Sequence, residues 1–243
     1  MRALTFAKRN LKEIMRDPLN LAFTFGFPLV LLLLLSLIQA NIPVSMFEIE
    51  HLTPGITVFG LSFTTLFTAT VISKDRQSSF LVRLYTTPMK PLDFILGYTL
   101  PIIPIALIQS AVCYIAALAL GLDLSINLLW ALLLIIPISL LYIALGLLCG
   151  SLLNDKQVGG VCGALLTNLS AWLSGIWFDL ELVGGVFKGI ANLLPFVHAV
   201  EAERAIVIGN FSSALTHLAV VMCYALALLV LAVLAFLRQM KRN

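Results

Sequence analysis

Three histidines, four cysteines and twelve carboxylates are the residues of this 243-residue sequence that most readily carry chemistry. Their spacing offers little of it. His51, His198 and His217 stand without a Cys, His or carboxylate at metal-ligand spacing, so no metal site is expected. No serine lies in a G-x-S-x-G context and no carboxylate pair falls inside an apolar run, so no catalytic residue is assigned and an enzyme is not expected. Cys113, Cys149, Cys162 and Cys223 all sit in apolar runs, none spaced as a zinc or redox pair, and read as small buried hydrophobes. The sequence has no G-x-x-x-x-G-K-[ST], the loop that cradles nucleotide phosphates, so ATP-driven work has to come from another chain.

Neutral polar side chains inside the apolar runs say more. An Asp, Glu, Lys or Arg at mid-membrane costs about 2.5–3.5 kcal/mol or more, and ion-coupled transporters accept that cost. No such residue is well placed within a run, which argues against ion coupling. The polar groups there are Thr64, Thr65, Thr68, Gln109, Tyr114, Tyr142, Asn168 and Ser170. Most fit hydrogen bonding between helices. Gln109 and Asn168 are the candidates for a pathway wall.

Two connections carry further candidates. The segment 74–97 mixes charge with apolar residues and is too long for a turn. Within it Ser78–Leu84 can form a short helix with Phe80, Leu81 and Leu84 on one side and Arg83 free, stopped by Thr87-Pro88 and Lys90-Pro91. That composition suits a docking knob for a cytosolic partner, and equally an ordinary loop whose cations set topology. The segment 177–213 is apolar yet holds Gly184, Gly185, Gly189 and Pro195 before Glu201, Glu203 and Arg204. It reads as a re-entrant hairpin of two short helices, its backbone covered by protein. The other reading is an interfacial loop carrying a weak Glu201–Arg204 pair at i, i+3.

The elements that position these residues follow from composition. Hydrophobic residues make up 60% and charged residues 11% of the chain, against roughly 45–50% and 25% in soluble domains. Lipid is therefore the expected solvent. The net charge of +3 comes with no basic face or aromatic–basic motif, so nucleic acid is not an expected partner. Residues 1–18 place Leu4, Ala7, Leu11, Ile14 and Met15 on one helical stripe and Arg2, Lys8, Arg9, Lys12 and Arg16 around it, the pattern of an amphipathic helix in the membrane surface. Residues 19–243 form a single transmembrane domain with six spans, at about 19–38, 54–73, 98–120, 126–153, 158–176 and 214–237. The first run is too long for a signal h-region and has no convincing cleavage site. Pro101, Pro104 and Pro137 are expected to kink their spans. Thirteen of the fifteen Lys and Arg fall on one side of this arrangement, leaving only Lys188 and Arg204 on the other. The positive-inside rule then puts both termini in the cytoplasm.

The ordered set resembles a known family. Lys74-Asp75-Arg76, then Leu84, Thr86-Thr87-Pro88 and Phe94-Ile95-Leu96-Gly97, are similar to the loop of ABC-2 type transporter permeases. There a charged triplet leaves the second span, a Thr-Pro follows, and an Ile-Leu-Gly-Lys-like stretch opens the third. Tyr98 stands here in place of the usual Lys, and the triplet is Lys-Asp-Arg where many members are Glu-rich. The basic N-terminus, the six spans and Leu194-Pro195 before Glu201–Arg204 extend the likeness over nearly the whole chain.

The resemblance implies an all-α integral membrane protein, the membrane subunit of a bacterial ABC exporter in the cytoplasmic (inner) membrane. Its coupling helix, Ser78, Ser79, Phe80, Leu81, Val82, Arg83 and Leu84, would dock on a separate cytosolic ATPase that holds ATP and Mg, with no cofactor on this chain. A second permease copy or a sister permease would complete a dimer. Pro195, Glu201, Glu203 and Arg204 would belong to an external lid. The small outer loop at 39–53 suits cargo gathered from the bilayer: an amphipathic drug, a lipid or a lipid-linked glycan. The alternatives are a non-transporting immunity or sensor subunit on the same scaffold, and an intramembrane lipid enzyme, which needs convergent ionisable residues at one depth.

Overall fold

The computed structural model describes residues 2–42, 47–78, 80, 89 and 91–240, and among these there is helix and no strand. Helix α1 is Arg2–Met15. Its buried residues are Phe6, Ala7, Asn10 and Ile14, spaced as one helical face. That face is rotated from the stripe of apolar residues in the sequence: Leu4 and Met15 are more than half exposed, and Phe6 turns inward instead.

Asp17 caps the next helix, α2 (Pro18–Gln39), by accepting from the Asn20 backbone N–H at 3.2 Å, and Pro18 occupies the first turn where no N–H is needed. A π-helical turn, Ala22–Gly26, interrupts α2 near its start. Helix α3 (Ile49–Gln77) begins five residues before Pro54 and is the most enclosed of the long helices. Helix α4 is made of Pro91–Thr99 and Ile102–Ala119, broken at Leu100–Pro101, the expected proline effect. Pro137, by contrast, sits inside α5 (Asn127–Leu152) without interrupting it.

Close packing of α3 on α5 depends on two glycines a turn apart. A Cβ on Gly150 would lie 2.9 Å from the Ala69 Cα and carbonyl oxygen, and one on Gly146 would lie 2.7 Å from the Thr65 carbonyl oxygen. At this distance the Thr65 hydroxyl donates to the Tyr142 carbonyl at 2.8 Å. Small residues are how apolar helices approach closely where lipid supplies no hydrophobic drive. Gly150→Leu is expected to force the pair apart and destabilise the fold by about 1–3 kcal/mol, the cost of overpacking. A lowered melting temperature in detergent checks this.

Helix α6 occupies residues 155–172 as Asp155–Val158, a π-helical piece Gly159–Leu166, and Thr167–Trp172. A reciprocal capping box starts it, Asn154 Oδ1 accepting from the Gln157 N–H at 2.9 Å and Gln157 Oε1 from the Asn154 N–H at 3.0 Å. Three short helices follow: α7 (Leu180–Val183), α8 (Gly185–Leu193) and α9 (Pro195–Val207). Gly184 and Gly185, at φ of +61° and +55°, make the α7–α8 corner in a conformation that favours glycine. Helix α10 is Phe211–Met240.

Five of these helices, α2, α3, α4, α5 and α10, are long and apolar enough to cross a membrane. The 158–176 run does not join them as a continuous apolar helix, because α6 opens on Asp155, Lys156 and Gln157 and ends at Trp172. Helix α5 lies centrally, packed on α3, α4, α9 and α10. One apolar cluster around Leu32, Ile56, Ile135 and Val200 fills the half of the bundle nearer α9. A second, around Phe6, Phe67, Phe94 and Phe236, fills the half nearer α1.

Candidate functional site

The charged triplet at the end of α3 sends each of its side chains to a different neighbour. Lys74 lies 3.7 Å from Asp17, between α1 and α2. Arg76 Nη1 donates to the carbonyls of Gly150 and Leu153 at 2.8 and 3.1 Å, covering acceptors that the end of α5 leaves open. Asp75 is buried. Its Oδ2 accepts from Arg9 Nη1 at 2.6 Å and from the Tyr98 hydroxyl at 3.0 Å. A charge-assisted pair of this length ties α1 to α3, and the phenol ties both to the start of α4.

Aromatic packing completes the junction. The Phe6 ring lies 4.9 Å from Tyr98, 5.9 Å from Phe94 and 6.3 Å from Phe80, and the Arg9 guanidinium sits 4.4 Å over the Phe80 ring. Gly97 is there for clearance: a Cβ would lie 2.1 Å from Phe6 Cδ1. Asn10 is buried because its amide donates to the Gly97 carbonyl at 3.0 Å. Of the docking segment, Ser78 and Phe80 are described; Ser79, Leu81, Val82, Arg83 and Leu84 lie outside the described residues. Ser78 ends α3 and its hydroxyl donates to the Asp75 carbonyl at 3.2 Å.

A second polar centre lies around α9. Arg204 is 7% exposed and spends its guanidinium on three acceptors: Glu201 Oε1 at 2.8 Å, the Gly175 carbonyl at 3.1 Å and the His51 carbonyl at 3.2 Å. It thereby joins α9, the start of α3 and the segment after α6. Glu203 faces the other way and is fully buried, its Oε1 accepting from the Tyr114 hydroxyl of α4 at 2.7 Å. Its Oε2 has no hydrogen-bond partner among the described residues. The α9 helix is outside the five spans, and burial there pushes the Glu203 carboxyl up to about 8, the Tyr114 hydrogen bond opposing. Pro195 starts α9 and is buried. Beside Arg204 opens a cavity of about 740 Å³, bounded by the start of α3 and by α7, α8 and α9.

The two pathway candidates do not come together. Gln109 is buried, donating to Cys113 Sγ and to the Thr57 carbonyl at 3.5 Å and packed on Gly60, while its Oε1 has no hydrogen-bond partner among the described residues. Asn168 is on the exposed face of α6, its amide donating to the Ala164 carbonyl at 2.8 Å. The histidines also sort differently from their sequence spacing. His198 and His217 face each other with Nδ1 atoms 2.9 Å apart, and His198 Nε2 lies 2.9 Å from the Asn192 carbonyl. No group of three or more potential metal ligands occurs among the described residues. Cys223, read as buried, is exposed on α10.

A profile of the ABC-2 type transporter family matches residues 2–208. The chain belongs to that family. The match covers both polar centres and stops just before α10. No curated protein matches the chain. With five helices fit to cross a bilayer and this family, the chain is a multi-pass membrane protein and a transporter component, a permease rather than a member of a catalytic family. Permeases of this kind generally work with a cytosolic ABC ATPase and often as dimers.

The sequence places Glu203 in a re-entrant hairpin at 177–213 but does not show that its carboxyl turns into the bundle toward Tyr114. The helical spacing of Val197, Val200 and Arg204, all buried with Glu203 on α9, is the signal that points to an inward-facing element.

Proposed function

We propose that this permease is the membrane subunit of an ABC exporter, moving an amphipathic molecule outward with ATP hydrolysed, on Mg, by a cytosolic subunit docked at 78–84. The observation that carries this reading is the Asp75 junction. The loop leaves α3 directly beyond a buried carboxylate that holds Arg9 of α1 and Tyr98 of α4, with Phe80 packed against Arg9 and Phe6. A push on such a loop is transmitted to three helices at once, since charge-assisted bonds and ring packing leave little slack.

In this reading α6 makes the fifth of six crossings and both termini face the cytoplasm of a bacterial inner membrane, supported by the bias of thirteen among fifteen cations. Helices α7 to α9 form a re-entrant outer lid, a second permease copy completes the pathway, and the chain itself carries no cofactor. Arg83→Ala and Leu84→Ala test the docking face. Each is expected to lower ATP-driven transport by tenfold or more while the purified variants keep the wild-type melting temperature. Unchanged transport in both variants would remove the docking assignment.

A further inference from the structure

Helix α9 is bounded at both ends by backbone that is not helical. Leu194 before it is extended, Pro195 brings no N–H to the corner, and Gly209 just after it stands at φ of +81°, a conformation that favours glycine. Element ends of this kind can absorb a change of angle and let a short helix move as a unit. What seats α9 in the bundle is then its inner face, and that face carries Glu203.

Glu203 is fully buried and has no counter-charge. No Lys, Arg or His of the described residues lies within ion-pair distance of it. The ionisable groups on the elements packed around α9 are engaged elsewhere or turned away. On α9 itself Arg204 takes Glu201, and His198 meets His217 of α10. Tyr224 of α10 donates to the Leu193 carbonyl, and Lys188 of α8 pairs with Glu181. Around the start of α3, His51 and Glu48 line the cavity beside Arg204, as does Asp179, and Glu50 is exposed. The Tyr142 ring of α5 lies against Phe196, and Cys113 of α4 accepts from Gln109. Only the Tyr114 hydroxyl reaches the carboxyl, at 2.7 Å, and Oε2 is left with no hydrogen-bond partner among the described residues. One neutral hydrogen bond does not offset the cost of a charge taken out of water. The carboxyl lies outside the 740 Å³ cavity that Arg204 lines, and a proton needs no cavity.

We propose that Glu203 is a proton-operated latch: its protonated carboxyl seats α9 in the bundle, and loss of the proton releases α9 from that seat. Burial pushes the carboxyl from its ordinary value of 4.5 up to about 8 in the seat, the Tyr114 bond opposing. A group raised in this way favours the seat at low pH, and its contribution is lost as pH rises toward the seated value. Release of α9 therefore gains roughly tenfold per pH unit between the two values and levels off above the higher one. The latch depends neither on the docking segment nor on the direction of transport.

Hydrogen–deuterium exchange of the α9 amides, read by mass spectrometry on the full chain in nanodiscs without an ATPase, tests this. Glu203→Gln keeps a neutral side chain of similar size in the seat. Comparing it with wild type at each pH cancels the chemical pH dependence of amide exchange. As pH rises from about 6 to about 8, wild-type α9 is expected to exchange progressively faster than the variant, by roughly tenfold or more over the interval, while α5 exchanges alike in both. Tyr114→Phe removes the one bond that favours ionisation, so its levelling-off point is expected at a higher pH than that of wild type. That shift is read against wild type alone and stands even where Glu203→Gln fails to fold. An α9 difference between wild type and Glu203→Gln that does not change with pH overturns the proposal, as does a Tyr114→Phe protein that levels off at the wild-type pH.

Discussion

Asp75→Ala is expected to cut ATP-driven transport by tenfold to a hundredfold while leaving the ATPase bound. The substitution removes the acceptor shared by Arg9 and Tyr98, and so detaches α1 and α4 from the end of α3. A hydrogen bond to a charged group is worth about 1.5–3 kcal/mol, which is one to two decades in a coupling equilibrium. Arg9 is about a third exposed and is rescued in part by water and by Glu13 at 3.5 Å, so the fold itself loses less than the coupling does. Asp75→Asn is the discriminating companion. It keeps an acceptor for Tyr98 but loses the charge that holds Arg9, and an intermediate loss of transport is expected. ATPase turnover measured with transport in proteoliposomes checks both: turnover persists while transport falls. If the two fall together, Asp75 supports folding or docking instead of transmission.

Arg204→Met is expected to destabilise the permease by about 3 kcal/mol, the low end for removing one partner of a buried ion pair, since the Glu201 side chain is itself 39% exposed. Most of the loss comes from the two backbone carbonyls, of His51 and Gly175, that the guanidinium leaves unpaired. Arg204→Lys is expected to recover only part of it, because one ammonium cannot serve three separated acceptors in the planar geometry of a guanidinium. Thermal unfolding followed in nanodiscs measures the difference. An Arg204→Met protein as stable as wild type would mean that α9 is held by its apolar contacts alone, among them Phe196 against Tyr142.

What was legible in the sequence was periodic or compositional. The runs at 19–38 and 126–153 became helices Pro18–Gln39 and Asn127–Leu152, because an apolar stretch that must satisfy its own backbone in lipid can only be helical. Proline signalled the break at Leu100–Pro101, whereas at Pro137 the helix runs on through the missing N–H donor. The Glu201–Arg204 pair was legible from its i, i+3 spacing, but the distant partners of the polar centres were not. Asp75 with Arg9, Tyr114 with Glu203, and Arg204 with the His51 carbonyl are separated by 66, 89 and 153 residues, and helical periodicity says nothing about which helix a face will meet. Gly97 illustrates the middle ground. Its place in the motif was visible, but its reason, the Phe6 ring lying where a Cβ would be, needed the packing of α1.

On the proposed reading an ATPase engages the loop after α3, and its motion enters the permease through Asp75. The most direct test is purification of the tagged chain from its native host in mild detergent, with nucleotide hydrolysis assayed in the eluate. A co-purifying ABC ATPase is expected, lost from a Leu84→Asp variant and retained by Asp75→Ala. Recovery of a folded wild-type permease with no nucleotide-hydrolysing subunit would contradict that reading.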